Sequence, residues 1–266
     1  MIQYPYINPV FIRLGPLKIR WYGLMYVLGF VAVHILVSYQ TRLYSLKKLE
    51  EHFENLNFYL IVSLILGGRL GYVLFYNFSF YFAHPTEILS IWQGGMSFHG
   101  ALIACFLGGW FYCWKNKLNY LESGDIYVVT APIGLGLGRL GNFINGELYG
   151  RVSDVSWAMV FPEGGSSPRH PSQLYEFFLE GVLLFILLWV LRIFHHRHRW
   201  PHGTLCAIFL VFYGLFRVFV EFFREPDFQL GFVLGPMTMG QVLSSLMILV
   251  GAGLFVAGRF RPSRSE

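Results

Sequence analysis

Arg139, Asn142, Asn145 and Glu147 lie close together in Gly138-Arg-Leu-Gly-Asn-Phe-Ile-Asn-Gly-Glu-Leu-Tyr-Gly150. A guanidinium is planar, stays charged when desolvated and grips a phosphate in two places. Further along, Tyr213, Arg217, Glu221 and Arg224 follow at steps of four, four and three, which is one helix face. Arg69 is a third arginine in apolar surroundings, and His99 is a histidine able to exchange a proton near neutral pH. With Tyr22, Tyr26, Glu176 and Glu180, these residues suit binding an anionic lipid head group and moving one proton. HExxH, GxSxG and paired aspartates for Mg²⁺ are absent from the sequence, so no metal or other cofactor is expected.

The elements that hold these groups must span a membrane. Hydrophobic residues make up 55% of the 266 and charged residues only 13%, too few to cover a water-facing surface. That sets aside a soluble enzyme, a nucleic-acid binder and a secreted disulfide scaffold. Unbroken apolar runs select helices over a barrel, so the fold class is all-α and polytopic. Seven runs are long enough: about 19–39, 56–76, 98–114, 124–144, 172–193, 203–223 and 236–257. The fourth holds Pro132 and several glycines and reads as a broken helix. Connections 77–97, 145–171 and 224–235 form the outer face of this single domain. Eleven of the twenty lysines and arginines fall on the side of the connections after spans one, three, five and seven, and six on the other. The amino terminus therefore faces out and the carboxyl terminus faces the cytoplasm.

Direction along each span gives depth. Arg69, Arg139, Arg217, Glu176 and Glu180 fall in the outer halves of their spans, with Tyr22, Tyr26 and His99 at outer ends. Each mid-span arginine costs about 2.5–3.5 kcal/mol even on the lenient scale. An internal Arg217–Glu221 pair is one reading of span six, but it leaves the other arginines at that depth unexplained. Glycines could also make 138–150 a packing seam like Gly67-xxx-Gly71. Packing does not account for its charged and amide side chains. Cys105, Cys113 and Cys206 read as buried small hydrophobes, and the run His195, His196, His198, His202 as a solvated interfacial face. The first span reads as a retained anchor, for the start lacks the pattern of a cleaved signal.

The chain resembles the prolipoprotein diacylglyceryl transferase family of the bacterial inner membrane, nearly end to end. The likeness rests on Trp21-Tyr-Gly-Leu-Met-Tyr26, Gly67-Gly-Arg-Leu-Gly-Tyr72 and Gly94-Gly-Met-Ser-Phe-His-Gly100. It continues in segment 138–150, which matches GRxGNFxNxExxG at every fixed position, and in Arg169-His-Pro-Ser-Gln-Leu-Tyr-Glu176 and Arg217-Val-Phe-Val-Glu-Phe-Phe-Arg224. The resemblance implies seven spans with a periplasmic amino terminus. It also implies transfer of an sn-1,2-diacylglyceryl group from phosphatidylglycerol to the lipobox cysteine of a preprolipoprotein, with release of glycerol 1-phosphate. It marks His99, Arg139 and Arg217 as catalytic, with Arg139 on the phosphatidylglycerol, and links Tyr22, Asn142, Glu147, Gly150 and Glu221 to activity. Tyr26 and Arg69 join the substrate-binding set. The connection from Arg151 to Arg169 is short, where some relatives carry an insertion.

In this reading the nucleophile is the substrate's own thiol, which has a pKa near 8.5 and needs a base. Neutral His99 is one candidate. If His99 instead bonds a carbonyl at the start of its span, Tyr22 or Tyr26 assists the proton transfer. Arg139 and Arg217 offset charge on the departing phosphate, Glu221 and Glu147 orient them, and Asn142 binds the head group. The alternatives are another phospholipid head-group transferase and a lipid or anion transporter.

Overall fold

The computed structural model describes residues 2–15, 17–90, 94–225, 232–235 and 237–260, with the side chains of 17, 98, 99 and 232–234 outside that description. The chain forms two compact units, Met1–Val37 with Gly124–Glu266 and Ser38–Ser123. It is mostly helical. Among the described residues, five helices are long and apolar enough to cross a membrane: Trp21–Leu43, Lys47–Phe75, Ser172–Arg197, Thr204–Glu221 and Met239–Arg259. Their surfaces are inverted relative to a water-soluble protein. Phe58, Phe106 and Leu249 are 65%, 64% and 69% exposed, whereas Arg69, Asp125, Glu176, Glu180 and Glu221 are buried. A polytopic membrane protein requires this arrangement.

In the smaller unit, α2 (Lys47–Phe75) begins well before the expected apolar span. Its first turns bury Leu49, Phe53 and Leu56 while carrying Glu50, Glu51 and Glu54, an amphipathic extension that a search for unbroken apolar runs passes over. After the short α3 (Phe78–Ala83) comes α4 (Phe98–Lys115), whose N-cap Ser97 accepts from the Gly100 N–H at 3.2 Å. The two long helices meet at glycines. A Cβ placed on Gly71 would lie 2.7 Å from the Gly100 Cα, so the Gly67-xxx-Gly71 stripe is a packing seam.

The larger unit holds α1 over its first part and everything from Gly124 on. Where one fourth span is expected, α5 (Tyr120–Val128) and α6 (Ala131–Asn145) are separate helices. Pro132 has no N–H to bond the preceding turn, and Thr130 turns its hydroxyl back to the Tyr127 carbonyl at 2.7 Å. Next come α7 (Ser172–Glu176), a π segment (Phe177–Leu183) and α8 (Leu184–Arg197), which run on as one long helix. Two more helices complete the unit, α9 (Thr204–Glu221) and α10 (Met239–Arg259). Val129, Leu184, Leu188, Leu205 and Tyr213 form the core between them.

Short strands, which an all-α reading leaves out, pin the connections. They are β1 (Ile2–Gln3) parallel to β4 (Met159–Val160), and two antiparallel pairs, β2 (Val10–Leu14) with β3 (Leu17–Arg20) and β5 (Phe232–Leu234) with β6 (Met237–Thr238). The histidine run also departs from expectation. His196 and His198 are exposed, but His195 is buried with Nε2 3.2 Å from Asp125 Oδ2. Asp125 in turn accepts from the N–H groups of Gly203 (2.7 Å) and Cys206 (3.0 Å), filling donors left open at the start of α9.

Candidate active site

Two glycines set the site. A Cβ on Gly136 of α6 would lie 3.0 Å from the Gly181 Cα, so α6 and the π segment touch backbone to backbone. Arg139, one turn beyond Gly136, is thereby brought against Glu176 and Glu180. Both carboxylates are buried at the head of the π segment, 1% and 0% exposed. Wide helical turns of this kind are frequent at functional sites because they re-aim side chains.

From the other side α9 turns Tyr213, Arg217 and Glu221 inward, as their spacing predicts, and Arg224 follows just past its end. Glu176 is the hub. Its Oε1 accepts from Nη1 of Arg217 and, at 3.4 Å, from Nη1 of Arg224, while its Oε2 lies 3.0 Å from Arg139 Nε. Glu180 sits 3.9 Å from both Arg139 and Arg217 and makes no hydrogen bond among the described residues. Arg217 Nη2 pairs with Glu221 Oε2 at 3.1 Å. The Thr238 hydroxyl donates to Glu221 Oε1 at 2.9 Å and also caps α10, accepting from the Gln241 N–H at 3.3 Å. Three guanidinium groups thus face three carboxylates. They are not equally engaged: Arg217 has both amino groups paired, whereas Arg139 pairs through Nε and its side chain keeps 20% exposure. Among the described residues, the ion pairs of Arg139 run through Nε and not through its two amino groups.

The 138–150 segment closes over this cluster. Gly146, at φ +70°, ends α6 with its N–H on the Phe143 carbonyl at 2.9 Å, and the Tyr4 hydroxyl lies 2.7 and 2.8 Å from the Phe143 and Ile144 carbonyls. Glu147, expected to orient an arginine, instead accepts from Asn142 Nδ2 (2.8 Å) and Asn145 Nδ2 (3.1 Å). Tyr22 packs on Gly141, where a Cβ would come within 2.8 Å of its ring, and its hydroxyl is 3.2 Å from that of Tyr26. Gly150 is a bridge position against Arg224, with its N–H on the His170 carbonyl at 2.8 Å. A Cβ there would sit 2.7 Å from His170 Cβ. Nearby, the Trp157 indole donates to the Tyr175 hydroxyl (2.7 Å), which lies 3.0 Å from His170 Nδ1. Burial holds the His170 imidazole below its ordinary 6.5, against the pull of Asp154, so the ring is neutral at pH 7.

Arg69, expected among the substrate-binding residues, occupies a carbonyl basket in the smaller unit. Its Nε donates to Ile88, Nη1 to Gly94 and Gly95, and Nη2 to Glu87 and Ser90, at 2.6–3.2 Å. All five donors are used, and none is left for a head group. His99 lies in the first turn of α4, and its side chain falls outside the described residues. Glu176 and Glu180, expected in the outer half of their span but given no individual role, are the carboxylates nearest Arg139. Their four-residue spacing inside an apolar span was the available signal. Thr238 carried none.

A mostly helical chain with long apolar helices and a buried arginine–glutamate cluster is that of a polytopic membrane protein. The prolipoprotein diacylglyceryl transferase family model matches residues 9–257, and the chain belongs to that family. Among its relatives, the phosphatidylglycerol–prolipoprotein diacylglyceryl transferase of Desulfotalea psychrophila is 56% identical over 257 residues, covering 94% of this chain and 93% of that one. The proteins of the same name from Geobacter sulfurreducens and Legionella pneumophila strain Paris are 51% and 49% identical. They span 96% and 97% of this chain, and 96% and 100% of their own lengths.

Proposed function

We propose that this protein transfers the sn-1,2-diacylglyceryl group of phosphatidylglycerol to the lipobox cysteine thiol of a preprolipoprotein, the first step of lipoprotein maturation. Near-full-length similarity to transferases of that name, with an open-ended Arg139 over a carboxylate hub, is the observation that carries this reading. The protein lies in the bacterial inner membrane with seven spans. Helices α4 and the α5–α6 pair supply the two beyond the five long apolar ones, and the site faces the periplasmic half.

The thiol gives its proton to His99, and the thiolate attacks the glyceryl carbon that bears the phosphate. A carbon–sulfur bond forms as the carbon–oxygen bond breaks, and its electron pair leaves on glycerol 1-phosphate. The phosphodiester carries one negative charge and the departing monoester approaches two, so fixed positive charge favours the transition state over the ground state. Arg139 meets the phosphate. Arg217, on the same carboxylate hub, adds a second charge held by Glu176 and Glu221. Asn142, Glu147, Tyr22 and Tyr26 line the head-group side, and Gly150 keeps the segment in register.

Phosphatidylglycerol labelled in its head group, supplied with a lipobox peptide, tests this. The reading expects one glycerol phosphate released for each thioether formed. Release without a peptide adduct would make the protein a different head-group enzyme.

A further inference from the structure

Glu176 and Glu180 stand one turn apart, both fully buried, and both lie within 4 Å of the same two arginines. Their bonding differs. Glu176 Oε1 accepts hydrogen bonds from Arg217 and Arg224, and its Oε2 lies at ion-pair distance from Arg139 Nε. Among the described residues, neither the two oxygens of Glu180 nor Glu176 Oε2 accepts a hydrogen bond, so toward Arg139 the two carboxylates differ by ion-pair distance, 3.0 Å for Glu176 and 3.9 Å for Glu180. Arg139 is on α6, and Arg217 and Arg224 are at the end of α9, so one carboxylate ties two separately packed elements together. Because the 3.0 Å ion pair with Arg139 runs through Nε, the two amino groups of that guanidinium have no ion pair among the described residues, and they form the edge that binds a phosphate in two places.

We propose that Glu176 is a positioning residue: it fixes the plane of Arg139 so that both amino groups face the lipid phosphate, with Arg217 and Arg224 as its struts. Glu180, farther from Arg139 at 3.9 Å, contributes less to that positioning. The proposal rests on the transfer reading above and adds to it the residue that presents the phosphate-binding group. Residues that orient a functional side chain from behind typically change affinity or rate by about 10–100-fold when altered.

Phosphatidylglycerol affinity in detergent micelles and transfer to a lipobox peptide, measured on Glu176→Gln and Glu180→Gln, test this. Glu176→Gln is expected to weaken lipid affinity and slow transfer, each about tenfold or more. Glu180→Gln, whose carboxylate lies 3.9 Å from Arg139, is expected to lose several-fold less lipid affinity than Glu176→Gln, at equal thermal stability of the two variants. A double-mutant cycle separates positioning from scaffolding. If Glu176 acts through Arg139, Glu176→Gln costs little further lipid affinity once Arg139→Ala is present. Equal losses in both single variants, or an undiminished Glu176→Gln effect in the Arg139→Ala background, overturn the proposal. If Glu176→Gln does not fold, Glu176→Asp takes its place in the same cycle. Wild-type protein that binds lipid but transfers nothing would instead refute the transfer reading itself.

Discussion

Arg69 and Arg139 have the same guanidinium and opposite occupancies. Arg69 spends five donors on five main-chain carbonyls, whereas Arg139 is paired through one edge and open at the other. An ammonium has three donors in a different geometry, so Arg69→Lys strands at least two of those carbonyls. We expect that substitution to lower stability in detergent by on the order of 2–4 kcal/mol, given about 1–3 kcal/mol for each buried unsatisfied group. The lipid KM of the protein that stays folded should be unchanged, and thermal unfolding with lipid-dependent kinetics checks both halves. From sequence the two arginines look alike, because depth in a span is readable and partners are not. The carbonyls around Arg69 lie up to 26 residues away along the chain, in a connection with no periodic pattern.

At the level of elements, the first turn of α10 belongs to the site. Thr238 caps that helix and holds Glu221, and Gly240 leaves the room, for a Cβ there would lie 2.8 Å from the Glu221 carboxyl. Thr238→Val removes the cap and the Glu221 bond together. Loss of the cap alone is worth about 1 kcal/mol, and transfer should drop as Arg217 loses a fixed partner. Thr238→Ser should restore both, as unfolding and transfer assays on the pair will establish. The outer connection carries a pH dependence. Since burial depresses the His170 pKa, the unfolded chain binds that proton more readily, so the contribution to stability is full above about pH 6.5 and is lost as pH falls through the folded value. Melting curves from pH 8 to 5 should decline in wild type and flatten in His170→Gln. The apolar runs were legible because crossing lipid takes about twenty apolar residues. The break before α6 was legible through Pro132. The π segment was not, since one wide turn leaves the apolar pattern almost unchanged, and this turn carries Glu180 and follows directly on Glu176.

At the scale of the whole molecule, each unit exposes apolar side chains and buries charged ones, and the larger unit assembles its charge cluster from α6, the α7–π junction, the end of α9 and the cap of α10. The 138–150 segment announced itself by the cost of placing such residues in a membrane, and Arg217 and Glu221 by their spacing on one face. The pairing of Arg139 with Glu176 joins residues far apart in sequence, and only the approach of Gly136 to Gly181 reveals it. We propose that this cluster, through Arg139, drives transfer of a diacylglyceryl group to a peptide cysteine. Mass spectrometry of a single-cysteine lipobox peptide, after incubation with phosphatidylglycerol and purified protein, tests it most directly. We predict a gain of one diacylglyceryl mass, stable to thioester-cleaving base, that falls at least about 100-fold in folded Arg139→Ala. An adduct formed equally well by Arg139→Ala, or none from wild-type protein with lipid bound, would contradict it.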